Sequence, residues 1–141
     1  MLTRIDHVGI ACRDLAKAIA FYESTFGLEV VSQEISTEQG VREAMLRVAD
    51  APAGTSYVQL LEPLGPDTPV GRFLARRGEG VHHIGYGVTD ITAALASIRR
   101  TPVAPIDARP RHGSMGASIA FLHPADDGGV LTELVQAPGP A

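Results

Sequence analysis

Four polar residues stand in apolar stretches where a hydrogen-bonding side chain needs a reason. His7 and His83 each open an alternating run with small residues at every second place, His7-Val8-Gly9-Ile10-Ala11 and His83-Ile84-Gly85-Tyr86-Gly87. Gln59 and Glu133 are the polar members of the runs 57–61 and 131–135, where an unsatisfied polar group would be costly. Taken singly, such a residue is more often a hydrogen-bonded structural group than a ligand. Together, two imidazole nitrogens, a carboxylate oxygen and an amide oxygen form a borderline-hard donor set. That set suits Co²⁺, Mn²⁺, Ni²⁺, Fe²⁺ or Zn²⁺ and disfavours Cu⁺.

What joins the four is an internal repeat. One offset of 76 residues separates His7 from His83, Gly9 from Gly85, Asp14 from Asp90 and Ala18 from Ala94. At the far end of each half, Val58-Gln59-Leu60-Leu61 corresponds to Thr132-Glu133-Leu134-Val135 with an offset of 74. The histidines are thus repeat equivalents, as are Gln59 and Glu133, and a pseudo-twofold relation would bring all four towards one axis. Strand alternation puts His7 on the face of Gly9 and Ala11, and His83 on the face of Gly85 and Gly87. The adjacent His82 falls on the opposite face, which selects His83.

The elements that must position these residues follow from periodicity. Each opening run gives way to a 3.6-residue pattern behind an aspartate N-cap, Asp14 or Asp90. The first helix is expected over 15–26, stopped by Gly27, and the second over 91–100, stopped by Pro102. Strands are expected at 28–35, 41–48 and 56–62 in the first half, and at 103–106, 118–123 and 130–136 in the second. Thr68-Pro69 reads as N-cap and N1 of a short connecting helix carrying Phe73 and Leu74, and the tail 137–141 is expected to fray. The reading is α+β: two tandem βαβββ modules, about 1–64 and 81–137 with a linker at 65–80, in one domain over 1–141. Their paired curved mixed sheets would enclose a metal-binding cleft.

Composition narrows the function. Charged residues make 20% and apolar residues 45% of the chain, which excludes disorder and a membrane span. The net charge of −4 argues against nucleic acid as a partner. Cys12 is the sole cysteine, so neither an internal disulfide nor a thiolate zinc site is available. The opening residues show no export signal, and a cytoplasmic location is expected.

The ordered motifs resemble those of the vicinal oxygen chelate superfamily and, within it, the methylmalonyl-CoA epimerases. They are His7-Val8-Gly9-Ile10, Glu38-Gln39-Gly40-Val41-Arg42-Glu43, Val58-Gln59-Leu60-Leu61-Glu62-Pro63, His82-His83-Ile84-Gly85, Phe121-Leu122-His123-Pro124 and Gly129-Val130-Leu131-Thr132-Glu133-Leu134. The resemblance implies an isomerase that interconverts (2R)- and (2S)-methylmalonyl-CoA through a metal-chelated enolate. It implies His7, Gln59, His83 and Glu133 as ligands of one divalent metal per chain, Co²⁺ foremost. Glu43 and Glu133 would be the acid/base carboxylates, and a homodimer is implied. Without the motif, Glu43 would read as a surface glutamate paired with Arg42 or Arg47. The loop Arg109-Pro110-Arg111-His112-Gly113-Ser114 is more basic than the family pattern, and His112 and His123 are read as structural. Two alternatives compete with it: a lyase like glyoxalase I, and a non-catalytic binder of small drug molecules on the same fold.

Overall fold

The computed structural model describes residues 1–124 and 129–139. The chain runs β1 (Leu2–Ala11), α1 (Leu15–Phe26), β2 (Leu28–Ser36), β3 (Val41–Val48), β4 (Tyr57–Pro63), α2 (Pro69–Arg77), β5 (Gly80–Val88), α3 (Ile91–Ile98), β6 (Arg111–His112), β7 (Ser118–Leu122) and β8 (Thr132–Gln136). This is the α+β fold expected, with mixed sheets carrying the helices.

By contacts the chain divides into two compact units. One holds His7–His82; the other joins Met1–Asp6 to the chain from His83 onward. Strands β1 and β5 therefore each contribute to both units.

In the His7–His82 unit the strand order is β2-β3-β4-β1. Strands β1 and β4 are parallel, with Gly9 opposite Gln59, while β3 is antiparallel to both β2 and β4. Helix α1 forms because Asp14 accepts a hydrogen bond from the Lys17 N–H. It ends because Gly27, at φ 69°, takes the left-handed conformation and donates back to Glu23 and Tyr22. Its Leu15 packs with Cys12, Ala44, Leu46 and Leu60 on one face of the sheet. Helix α2, capped by Thr68 and opened by Pro69, sets Val70 and Leu74 on Ala11, Val41 and Leu61. These three share the strand face of Gln59 and Glu43, so α2 covers one end of that face.

The second unit repeats the plan in the order β5-β8-β7-β6. Strands β5 and β8 are parallel, with Gly85 opposite Glu133, and β7 is antiparallel to β8. The N-terminal part of β1 runs close to β5 here: a Cβ on Gly87 would lie 3.0 Å from Thr3 Oγ1 and from Arg4 Cγ, so a side chain there must displace both. Helix α3 starts at Asp90, which accepts from the Ala93 N–H, and packs Ile91, Ala94, Leu95 and Ile98 against Ala120, Leu122 and Leu134.

Three sequence expectations are corrected. No strand forms at 103–106: Pro102 ahead of the segment and Pro105 within it remove ladder donors. It runs beside β7 through single contacts instead, a bridge of Pro105 with Leu122 and a hydrogen bond from the Ile106 N–H to the Phe121 carbonyl. Strand β8 begins at Thr132 rather than 130, and α3 stops at Ile98, with Arg99 as its C-cap. Of the tail expected to fray, residues 140–141 lie outside the described residues.

Candidate active site

Each unit builds the same local arrangement from its own strands. A histidine lies two residues before a glycine on one face of its strand, and that glycine stands opposite the polar residue of the parallel neighbour. In the first unit these are His7, Gly9 and Gln59; in the second, His83, Gly85 and Glu133. With no Cβ on the intervening glycine, the imidazole and its diagonal neighbour have room on one side of the sheet. All four polar residues are buried, between 3% and 5% exposed.

In the second unit His83 Nε2 lies 3.7 Å from Glu133 Oε1. Phe121, paired with Glu133 across β7 and β8, meets the His83 ring edge-on, with centroids 5.5 Å apart. The aromatic edge fixes the imidazole plane while its nitrogen stays beside the carboxylate.

In the first unit Glu43 is no surface residue: it is 3% exposed, on the face of β3 that carries Met45, which lies opposite Gln59. Gln59 Nε2 donates to Glu43 Oε2 at 3.0 Å. Arg42, on the other face, pairs instead with Glu62 at 3.2 Å. With its amide nitrogen donating to Glu43, Gln59 would serve a metal through its oxygen, the amide atom that carries lone pairs.

Each unit by itself thus carries one buried imidazole and one buried oxygen donor. Their chemistry, nitrogen and oxygen in a dry setting, fits a borderline divalent ion. Glu43 adds a buried carboxylate held by a neutral donor, a geometry suited to moving a proton.

The remaining histidines are placed differently. His82 packs on Phe73 of α2 at 5.0 Å, and burial pushes its pKa down to about 4, so it stays neutral at physiological pH. His112 and His123 are exposed. The sequence reading did not foresee Phe121 as the neighbour of His83. The register that brings them together depends on β7 pairing with β8, which no local pattern announces.

Residues 6–121 match the model of the glyoxalase/bleomycin resistance protein/dioxygenase superfamily. The chain is 37% identical over 137 residues to the human mitochondrial methylmalonyl-CoA epimerase, covering 96% of this chain and 75% of that one. Among solved structures it resembles a methylmalonyl-CoA epimerase in complex with methylmalonyl-CoA and NH4+, with a TM-score of 0.94 and 54% identity over 99% of this chain and 97% of that one. A variant of the Streptomyces coelicolor methylmalonyl-CoA epimerase in complex with 2-nitronate-propionyl-CoA is equally similar, with a TM-score of 0.94 and 53% identity over 99% and 100% of the two chains.

Proposed function

Because the chain belongs to the methylmalonyl-CoA epimerase family of the glyoxalase/bleomycin resistance protein/dioxygenase superfamily, we infer that it is an isomerase interconverting (2R)- and (2S)-methylmalonyl-CoA. The observation that carries this is a likeness to epimerases running through the whole chain rather than one motif. The substrate is an acyl-CoA.

Epimerisation breaks the C–H bond between the thioester and the carboxylate. The electron pair passes to the thioester oxygen, and a C–H bond then re-forms on the opposite face. Glu43 takes or returns the proton on one face. Its hydrogen bond from Gln59 orients the carboxylate. Glu133 serves the other face, with His83 beside it.

We propose His7, Gln59, His83 and Glu133 as the ligands of one divalent ion per chain, with Co²⁺ the first candidate and Mn²⁺, Ni²⁺, Zn²⁺ and Fe²⁺ alternatives. When bound, such an ion supplies Lewis-acid stabilisation of the negative charge that develops on the thioester oxygen. Burial of these four residues, their repeat equivalence and the nitrogen–oxygen donor set support the assignment.

We also propose a homodimer working in the cytoplasm. Exposed apolar residues on β2 and β3, Ile35 and Val48, beside the edge strand of the first unit's sheet, support self-association. Among the described residues no helix is long and apolar enough to cross a membrane. Sedimentation as a stable monomer at micromolar concentration would remove the dimer.

The test of function is turnover of each methylmalonyl-CoA epimer in deuterated water, before and after chelator treatment and with each metal restored. Inversion with α-deuterium uptake is the expected result. Absence of inversion with every metal sinks the reading.

A further inference from the structure

The inner face of the first unit's sheet is closed at one end and open at the other. Val70 and Leu74 of α2 cover Ala11, Val41 and Leu61. Along β3 the residues on this face are Val41, Glu43, Met45 and then Arg47; the first three are at most 4% exposed, and Arg47 is half-buried. Strand β3 is regular across this stretch, so Arg47 shares the face of Glu43 and lies one step past the Leu46–Val58 pair, alongside Tyr57, which itself faces His7. A substrate reacting beside Glu43 can extend along β3 towards Arg47, away from the end that α2 covers.

At that position the Nε–H of Arg47 is buried and has no hydrogen-bond partner among the described residues. A buried donor on a charged group left unmatched is costly and rare in a native protein, and a ligand acceptor is a common remedy. On the same face, then, lie a proton-transfer carboxylate and, further along, an orphaned donor.

The spacing says what the acceptor is. Four residues of strand place Arg47 roughly 13 Å from Glu43 along the chain direction. In an extended acyl-CoA, at roughly 1.2 Å of advance per bond, the second amide carbonyl of the pantetheine arm lies about 12 Å from the reacting carbon, and the first phosphate roughly 18 Å. Resting on the epimerase reading, we propose that Arg47 is a substrate-binding residue that donates a hydrogen bond to a carbonyl oxygen of the pantetheine arm.

The test is calorimetric titration of wild type, Arg47→Met and Arg47→Lys with propionyl-CoA and with propionyl-pantetheine, neither of which can be epimerised. The Met variant is expected to bind both ligands about tenfold or more weakly, as for loss of a charge-assisted hydrogen bond. Lys, which lacks the Nε donor and the fork geometry, should restore little. In turnover of methylmalonyl-CoA, KM should rise while kcat holds. Because the donor is orphaned in the free protein, Arg47→Met should melt no lower than wild type, and a large drop in Tm would make Arg47 structural and overturn the proposal. Unchanged affinity, a loss confined to the CoA ligand, which would mean a phosphate contact, or full recovery with Lys would each overturn it too. Failure of the wild type to bind either ligand sinks the epimerase reading and this proposal together, whereas normal wild-type binding with an indifferent Met variant sinks only the proposal.

Discussion

The two repeats place their acidic groups at different points of the same lattice. On the closing strands, the first unit has Gln59 where the second has Glu133. One register step further, Glu43 stands opposite Leu61, and in the other unit Ile119 stands opposite Val135. Glu43 is 3% exposed and accepts a hydrogen bond from Gln59; Ile119 is 2% exposed and sits in an apolar cluster with Ala117 and Val135. So at these repeat-related positions each unit holds one buried carboxylate, beside the imidazole in one and displaced along the neighbouring strand in the other. A scaffold that repeats exactly would supply two equivalent groups. This one supplies one carboxylate beside an imidazole and another held by an amide.

Erasing the inequality should have the largest effect. Glu133→Gln makes the closing strands alike and removes the charged member of the proposed donor set. Bound metal after dialysis should fall from stoichiometric towards nothing, and inversion and α-hydrogen exchange should both collapse. Full metal content with intact inversion would show that the carboxylate beside His83 is dispensable. Glu43→Gln should instead lower inversion by roughly 10²–10⁴-fold with metal content unchanged, because only one proton carrier is lost. Exchange with retention at the other face should persist, visible as deuterium entering one epimer alone. Inversion at the wild-type rate would return Glu43 to a purely structural role.

A third change asks whether the second unit could have held its carboxylate where the first does. Ile119→Glu puts an ionisable group into an apolar cluster, with the carboxylate of Glu133 at the position where Glu43 has the amide of Gln59. The cost should be several kcal/mol, read by urea unfolding. A variant as stable as wild type would mean that this interior is not dry.

Much of this organisation was legible before the structure. The helix over 15–26 and its Gly27 stop coincide with α1, because cap, apolar spacing and C′ glycine all lie within a few residues of each other. Both aspartate caps were visible for the same reason. The segment at 103–106 misled because Val103 and Ile106 carry strand propensity while Pro102 and Pro105 withhold donors. The Gln59–Glu43 contact and the orphaned Nε of Arg47 were beyond reach, since both depend on the register of β3 against β4. Hidden too was a second cap on each helix: Glu62 accepts from the Leu15 N–H and Gln136 from the Ile91 N–H, reaching from repeat-equivalent ends of β4 and β8.

The smallest expected effect concerns Cys12, whose repeat equivalent is Val88; each is buried in the core of its own unit. Burial first, then the negative charges of Glu62 and Glu79, pushes the Cys12 thiol from 9.0 up to about 11, and the thiol donates a hydrogen bond to the Leu61 carbonyl. The thiol is therefore the form the folded state prefers. Between pH 9 and 11 the unfolded chain has already lost this proton while the folded chain keeps it, so ν_U is smaller than ν_N and stability falls as pH rises. Below pH 9 the stabilising preference is fully present; above the folded value the loss is complete. Cys12→Val, which makes the two positions alike, should change stability at pH 7 by less than about 1 kcal/mol, the volumes being close. From pH 9 to 10 wild type should lose about 1 kcal/mol more than the variant, which no longer has this proton to lose. Unfolding free energies measured in parallel at pH 7, 9 and 10 isolate the difference, since every other titrating group is common to both proteins. Parallel curves would mean that Cys12 ionises in the folded protein as readily as in the unfolded chain, and ready thiol modification of the native protein at pH 8 would say the same.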